Sequence, residues 1–438
     1  MRPAQPPAYD PNDSRYWDGR DLEGELERVF SVCHGCRMCV GYCPSFPELF
    51  RRVDGYVDRG KGEIDAFIDQ DYEVVNDLCY QCKICHLKCP YTPEDGHPFQ
   101  LDFPKLMLRH RAQRAARNGV SLQDQVLGEP QLLGRMGAGP PAPMANFVSK
   151  NALLRKVQEK VTGISAHFNL PPFAEKTLGT ALRERSPSVH AHGKQIAFFP
   201  TCTVSFNLPT AGIAAFQVLE HNGFDVSLVA ENSCCGMPNL DGGDVAAAQK
   251  KAARNVAALY PYAAAGKTIV VPGPTCSYVL KHDYVTLLGT EEAATVAAHT
   301  EDLMEFLRRL HREGSLKTDF VTPLGKIAYH APCHLRAQRI GFPAAQVLSS
   351  APGTEVEIIE KCSAVDGTWG MKEQYFELGR RYAAPLIAAM QEVPTPRTVA
   401  TDCPLAGQRL AQELGTRAVH PIELLNMAYG LPNPAGAR

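Results

Sequence analysis

A chain of 438 residues, 45% hydrophobic and 21% charged, is long enough for two or three domains that each bury a core. A formal net charge of −2 with no basic stripe argues against a nucleic-acid partner, and no run of about 18 apolar residues is present to cross a bilayer. The opening MRPAQPPAYDPNDSRYWDG lacks the apolar core of a secretory signal, so the expected compartment is the cytoplasm.

In chain order, residues 1–20 read as a disordered lead rich in proline and polar residues. Residues 21–100 read as a helical ferredoxin domain. It holds two runs, Cys33-x2-Cys36-x2-Cys39-x3-Cys43-Pro44 and Cys79-x2-Cys82-x2-Cys85-x3-Cys89-Pro90. Between them Ile64, Phe67, Ile68, Val74, Val75 and Leu78 recur at helix-like spacing. A short loop supplies three thiolates to a cubane but cannot encircle it, so the fourth must come from elsewhere. The expected arrangement is two [4Fe–4S] clusters that exchange fourth ligands: Cys33, Cys36, Cys39 and Cys89 on one, Cys79, Cys82, Cys85 and Cys43 on the other. Two complete runs ending in Cys-Pro are neither a zinc nor a disulfide pattern, and His34 and His86 read as bystanders.

Residues 101–190 read as a helical arm. FPKLMLRHRAQRAAR is a helix whose basic face is expected in solvent, with docking or a membrane surface as the alternative. GAGPPAP at 137–143 breaks the pattern, and a second amphipathic helix is expected around Leu153, Leu154, Val157 and Val161. From 191 onward short apolar runs (IAFF, VSLV, TIVV) alternate with helical patterns, the signature of α/β layers. The region is duplicated: QIAFFPTC ending at Cys202 matches KIAYHAPC ending at Cys333, and Cys234 and Cys276 match Cys362 and Cys403. The expected units are 191–310 and 311–438, giving an α+β multidomain protein: a helical two-cluster ferredoxin domain, then two α/β cysteine-rich domains. Each would present its cysteines on loops after strands, where such folds bind ligands.

The first repeat offers Cys202, Cys234-Cys235-Gly236 and Cys276, four thiolates that suffice for a third iron–sulfur cluster or zinc. The second offers only Cys333, Cys362 and Cys403, with Cys362-Ser363-Ala364 at the place of Cys-Cys-Gly. A metal there would need His330, His334 or Asp402, so metal is expected in the first repeat and weakly or not at all in the second. The chain has no dinucleotide fingerprint, and the GKT at 266–268 lacks the leading glycine of a phosphate loop.

The paired runs, CCGMPNLDGGD at 234–244, PGPTCS at 272–277, HAPCHLR at 330–336, CSAVDGTWGMK at 362–372, DCPLA at 402–406 and HPIELLNMAYGL at 420–431 resemble one family. It is that of the C subunit of anaerobic glycerol-3-phosphate dehydrogenase and the cysteine-rich subunits of heterodisulfide reductase, glycolate oxidase and lactate oxidation systems. The resemblance implies a non-autonomous electron-transfer subunit of anaerobic respiration. It would relay electrons between a flavin dehydrogenase or other redox subunit and a quinone or other carrier, in the cytoplasm or peripherally on the inner face of the membrane. The competing readings are a heterodisulfide or thiol reductase and a metal-stabilised docking module. The fullest family pattern ends in Cys-x-x-Cys; here positions 279 and 406 are Val and Ala.

Overall fold

The computed structural model describes residues 2–185, 194–365 and 367–435; the expected boundary between the arm and the first cysteine-rich domain, at 190–191, lies outside them. Helices Gly19–Cys36, Ser45–Asp58 and Asp69–Asp77 enclose the N-terminal core. The first begins where the Asp18 carboxylate accepts from the Arg20 and Asp21 amides, and it buries Leu22, Leu26, Val29 and Phe30 at helical spacing. It ends at Arg37, whose φ of 52° is left-handed. The apolar run from Ile64 is not one helix: Ile64–Ala66 is a 3-10 turn, and a new helix starts at Asp69. The break is made by Asp71, whose carboxylate accepts from the Ile68 amide at 3.0 Å and leaves the Ile68 side chain 58% exposed.

Two expectations are corrected. The disordered lead expected over residues 1–20 instead holds a 3-10 turn, Ser14–Trp17, with Tyr16 buried. The basic helix, Phe103–Asn118, is not a solvated face: Arg109 is 0% and Arg111 8% exposed. The Arg109 guanidinium donates to the carbonyls of Tyr16 (2.9 Å), Arg15 and Asp18 and pairs with Asp21 at 2.8 Å, which is what orders the lead. Backbone carbonyls that need donors, together with an internal acid, recruit these cations inward.

Further along, helices Pro130–Gly137, Ala142–Lys150 and Ala152–Thr162 follow, separated at the Gly-Pro-rich stretch. Then come two parallel sheets. The first holds β1 (Lys194–Phe198), β2 (Phe224–Leu228), β3 (Ile269–Val271) and β4 (Thr300–Asp302) in the order β2-β1-β3-β4. The second holds β5 (Gly325–His330), β6 (Thr354–Ile359) and β7 (Arg397–Thr401) in the order β6-β5-β7. Ile196 pairs with Val226, and Ile327 with Val356, so the repeat preserves register as well as order. The β1–β2 and β5–β6 connections each run through a crossover helix, Pro209–His221 and Pro343–Leu348. The repeats exchange support: Pro421–Ala428 packs on Pro209–His221, and Leu303–Arg312 packs on Pro343–Leu348. Phe198, Val270, Ile327 and Tyr329 accordingly share one core.

Replacing Arg109 by Met keeps the bulk but removes one donor from each of three carbonyls and an ion-pair partner from Asp21. We expect a loss of about 2–3 kcal/mol in denaturant unfolding, and hydrogen exchange should show residues 10–18 released first.

Candidate iron–sulfur sites

The end of the first helix and the turn after it carry Cys33, Cys36 and Cys39. The left-handed residues Gln81 (φ 57°) and Lys83 (φ 61°) curl the second run around Cys79, Cys82 and Cys85. Cys33, Cys36, Cys39 and Cys89 line one small cavity closed by Val32, Phe46 and Leu101. Burial pushes the Cys33 thiol well above its ordinary range, and its neighbours Cys39, Cys89 and Cys36 push it further. Cys39 is pushed up to about 12 by burial, then by Cys89 and Cys36. In the other group, burial raises Cys85, helped by Cys82, Cys43 and Cys79, and burial raises Cys43, helped by Cys79. The fourth cysteine of each run thus stands with the first three of the other. Such crowded thiols resist ionising together until a cation compensates them, which is the chemistry of a metal-thiolate pocket.

In the first repeat all four cysteines sit at the C-terminal edge of the sheet: Cys202 after β1, Cys234 and Cys235 after β2, Cys276 after β3. Their side chains touch in series, Cys202 to Cys234, Cys234 to Cys235, Cys235 to Cys276. Cys234 is held well below the ordinary thiol range by hydrogen bonds from Cys202 and Cys235, then by the Gly236 amide and Lys251. Two residues outside the cysteine motifs position this loop. Asn255 accepts from the Ser233 amide at 2.6 Å, donates to the Cys234 carbonyl at 3.1 Å and meets the Tyr284 hydroxyl at 2.7 Å. Tyr284 in turn donates to the Cys235 carbonyl at 3.0 Å. Both are wholly buried, and only their fold neighbours give them meaning.

The second repeat keeps the loop and changes its contents. The Ala364 amide donates to Cys362 Sγ at 3.2 Å, as the Gly236 amide does to Cys234, so Cys362, Ser363 and Ala364 occupy the places of Cys234, Cys235 and Gly236. Cys333 and Cys362 turn toward the ferredoxin domain and line a cavity of about 310 Å³ with Cys82, His330, Arg336 and Lys361. The Tyr80 hydroxyl donates to the Tyr42 carbonyl at 2.8 Å and lies 3.2 Å from Cys362 Sγ. Cys403 caps the helix after β7, its amide donating to Thr401 Oγ1 at 3.3 Å. The side chains weighed as extra ligands are engaged elsewhere. His330 bridges Thr401 Oγ1 (3.0 Å) and the Lys361 carbonyl (3.2 Å), and His334 bridges Thr275 Oγ1 (2.9 Å) and the Gln81 carbonyl (3.0 Å). Asp402 accepts from Tyr329 at 2.5 Å, and burial, then Asp302, pushes its carboxyl up to about 7. Val279 and Ala406, at the two positions where the fuller pattern has cysteine, are 0% and 2% exposed, and Val279 packs in the apolar core of the first repeat.

Asn255→Ala strands the Ser233 amide and the Cys234 carbonyl. We expect about 2–3 kcal/mol of lost stability in thermal unfolding, together with preferential loss of metal from the first cysteine-rich domain in elemental analysis.

Known proteins resemble this chain in sequence. Residues 26–117 match the citrate utilization protein B Fer4-like domain, and residues 196–281 and 327–406 each match the cysteine-rich domain. The C subunit of anaerobic glycerol-3-phosphate dehydrogenase of Escherichia coli (strain K12) is 28% identical over 70% of this chain and 77% of its own length. The "Probable glycolate oxidase iron-sulfur subunit" of Bacillus subtilis (strain 168) is 23% identical over 79% of this chain and 69% of its own length. The B subunit of the fumarate reductase (CoM/CoB) of Methanothermobacter marburgensis is 29% identical over 54% of this chain and 47% of its own. The chain thus carries a Fer4-like domain followed by two cysteine-rich domains, and it is similar to iron–sulfur subunits such as the C subunit of anaerobic glycerol-3-phosphate dehydrogenase.

Proposed function

We propose that this chain is an electron-transfer subunit that relays single electrons between a partner flavin dehydrogenase and a quinone or other carrier. The observation that carries the reading is the pair of crossed thiol groups, whose second member adjoins the cavity of Cys333 and Cys362 through Tyr80. The donor chemistry fits [4Fe–4S] clusters: eight thiols, two groups of four, buried among apolar side chains. Cys33, Cys36, Cys39 and Cys89 would hold one cluster, and Cys79, Cys82, Cys85 and Cys43 the other. Clusters so held supply one-electron chemistry, and Val32, Phe46, Leu101 and Ile84 keep water from them.

Cys202, Cys234, Cys235 and Cys276 would hold a third cluster, and the second repeat binds metal weakly or not at all because Ser363 stands for the second adjacent thiol. Contacts in series along the four thiols favour a multi-iron group over zinc, because adjacent cysteines chelate one ion poorly but can span two metals of a cluster. Among the described residues no helix is long and apolar enough to cross a membrane; the proposed association with the inner membrane face is peripheral.

Iron and sulfide analysis of anaerobically purified protein, with electron paramagnetic resonance, tests the ligand exchange. We expect about eight irons from the N-terminal runs. Cys43→Ser should disturb chiefly the signal that Cys82→Ser disturbs, and Cys89→Ser the one that Cys36→Ser disturbs. Signals grouped by run instead would overturn the exchange.

Lys83 offers a separate handle on potential. It lies between Cys82 and Cys85, is 4% exposed, stands 4.9 Å from the Tyr278 ring centre and makes no direct ion pair among the described residues, while Asp283, Asp102 and Asp241 act on it at longer range. A buried cation needs a counter-charge, and an anionic cluster beside it provides one. In redox titration Lys83→Met should lower one midpoint potential by on the order of 50–100 mV and leave the other within error.

A further inference from the structure

Ten of the 21 large apolar side chains exposed among the described residues fall between positions 132 and 161, each 40–74% exposed. Helices Ala142–Lys150 and Ala152–Thr162 lie against each other and carry most of them. Met144 and Phe147 stand one turn apart on the first, and Leu153, Val157 and Val161 form an i, i+4, i+8 stripe on the second. An amphipathic helix ordinarily turns such a stripe to the core; here it faces outward. The second helix is tied down from its other side, where the buried Arg155 donates to the carbonyls of Ser165 (2.5 Å) and Phe168 (3.0 Å). The apolar stripe is therefore presented by a fixed scaffold.

Charge says what covers it. Arg135, Lys150, Lys156 and Lys160 are exposed around the stripe. The sole acid between residues 130 and 162 is Glu159, half-buried, with its carboxylate accepting from the Ala166 amide at 2.6 Å. A second copy of the same surface would oppose cation to cation across an isologous contact. Helices of 9 and 11 residues are about 14 and 17 Å long, too short to span about 30 Å of hydrocarbon. Outward aliphatic and aromatic side chains edged by lysines suit the headgroup plane of an anionic bilayer.

We propose that the Ala142–Lys150 and Ala152–Thr162 pair, with the neighbouring Arg135, docks this chain flat on an anionic phospholipid bilayer. This names the surface for the peripheral association proposed above; it stands on the exposed face alone, so it and the electron-relay reading fail separately.

The test is co-sedimentation of the full cluster-loaded chain with vesicles of phosphatidylcholine, with and without phosphatidylglycerol. We expect binding to the mixed vesicles at least tenfold tighter than to neutral ones, weakening with salt. Each of Lys150→Gln, Lys156→Gln and Lys160→Gln should cost about fivefold. The triple variant Phe147→Ser/Leu153→Ser/Val157→Ser should abolish binding while iron content and circular dichroism stay unchanged. Equal affinity for neutral vesicles, no vesicle binding, or undiminished binding by the triple variant would overturn the proposal. So would a concentration-dependent dimer that the triple variant dissolves without any effect on lipid binding.

Discussion

The relation between the ferredoxin domain and the first cysteine-rich domain depends on one guanidinium. Arg111 donates to the Asn76 side chain (3.0 Å) and carbonyl (2.9 Å), to the Cys79 carbonyl and to the Asp241 carbonyl (3.1 Å). Cys79 opens the second thiol run, and Asp241 ends the short helix that follows Cys234-Cys235-Gly236. One permanently charged, planar group with five donors thus fixes two thiol loops against each other through their backbones. A lysine would offer a point charge without the fork. Asn76 completes the arrangement by donating to the Met107 carbonyl at 2.8 Å, locking the run to the helix that carries Arg111.

The duplicated domains show why the later cysteines collect at the edges of their sheets. In a parallel sheet every strand points its C-terminal end the same way, so residues that follow strands collect on one edge. Cys202, Cys276, Cys333 and Cys403 all stand at or next to the start of a helix that leaves β1, β3, β5 or β7. The crossover helices then set the two edges side by side, because each repeat's last helix packs on the other's crossover. His334 and Gln338 close the seam: the imidazole reaches Thr275 and the Gln81 carbonyl, and the Gln338 amide reaches the Pro274 carbonyl at 3.2 Å.

Much of this was legible in the sequence, and the reasons differ by element. The ferredoxin runs were readable because ligand spacing is a local constraint. The two cysteine-rich repeats were readable because strand, proline and cysteine recur at near-constant separation. The burial of Arg109 and Arg111 was not, since a basic stripe on a helix has the same pattern whether it faces water or backbone carbonyls. Asn255 and Tyr284 were invisible for a similar reason: nothing local marks a buried asparagine as the brace of a loop about twenty residues away in sequence, when pairing is decided by tertiary contact. The helix-like spacing from Ile64 did not show the interruption at Ile68, where Asp71 caps the Ile68 amide and a new helix begins.

The second repeat records what was kept and what was lost. Gly236 has a φ of +92°, a conformation glycine adopts freely. Its counterpart Ala364 retains a left-handed φ of +48° although a Cβ makes that conformation cost about 1–2 kcal/mol. The surrounding contacts impose it: the Ala364 carbonyl lies against Gly370 and Gly379, and the Ala364 amide is committed to Cys362 Sγ. These contacts hold the loop in a strained backbone with a serine where the first repeat has its second thiol. Its cysteine at the place of Cys234, Cys362, lies 3.2 Å from the Tyr80 hydroxyl and shares a cavity with Cys333 and with Cys82 of the ferredoxin runs. The first repeat has four thiols that touch in series; the second contributes its edge to the cavity beside Cys82. The two repeats share one frame, and with Ser363 and Ala364 in place of Cys235 and Gly236 the second presents its edge to the ferredoxin domain.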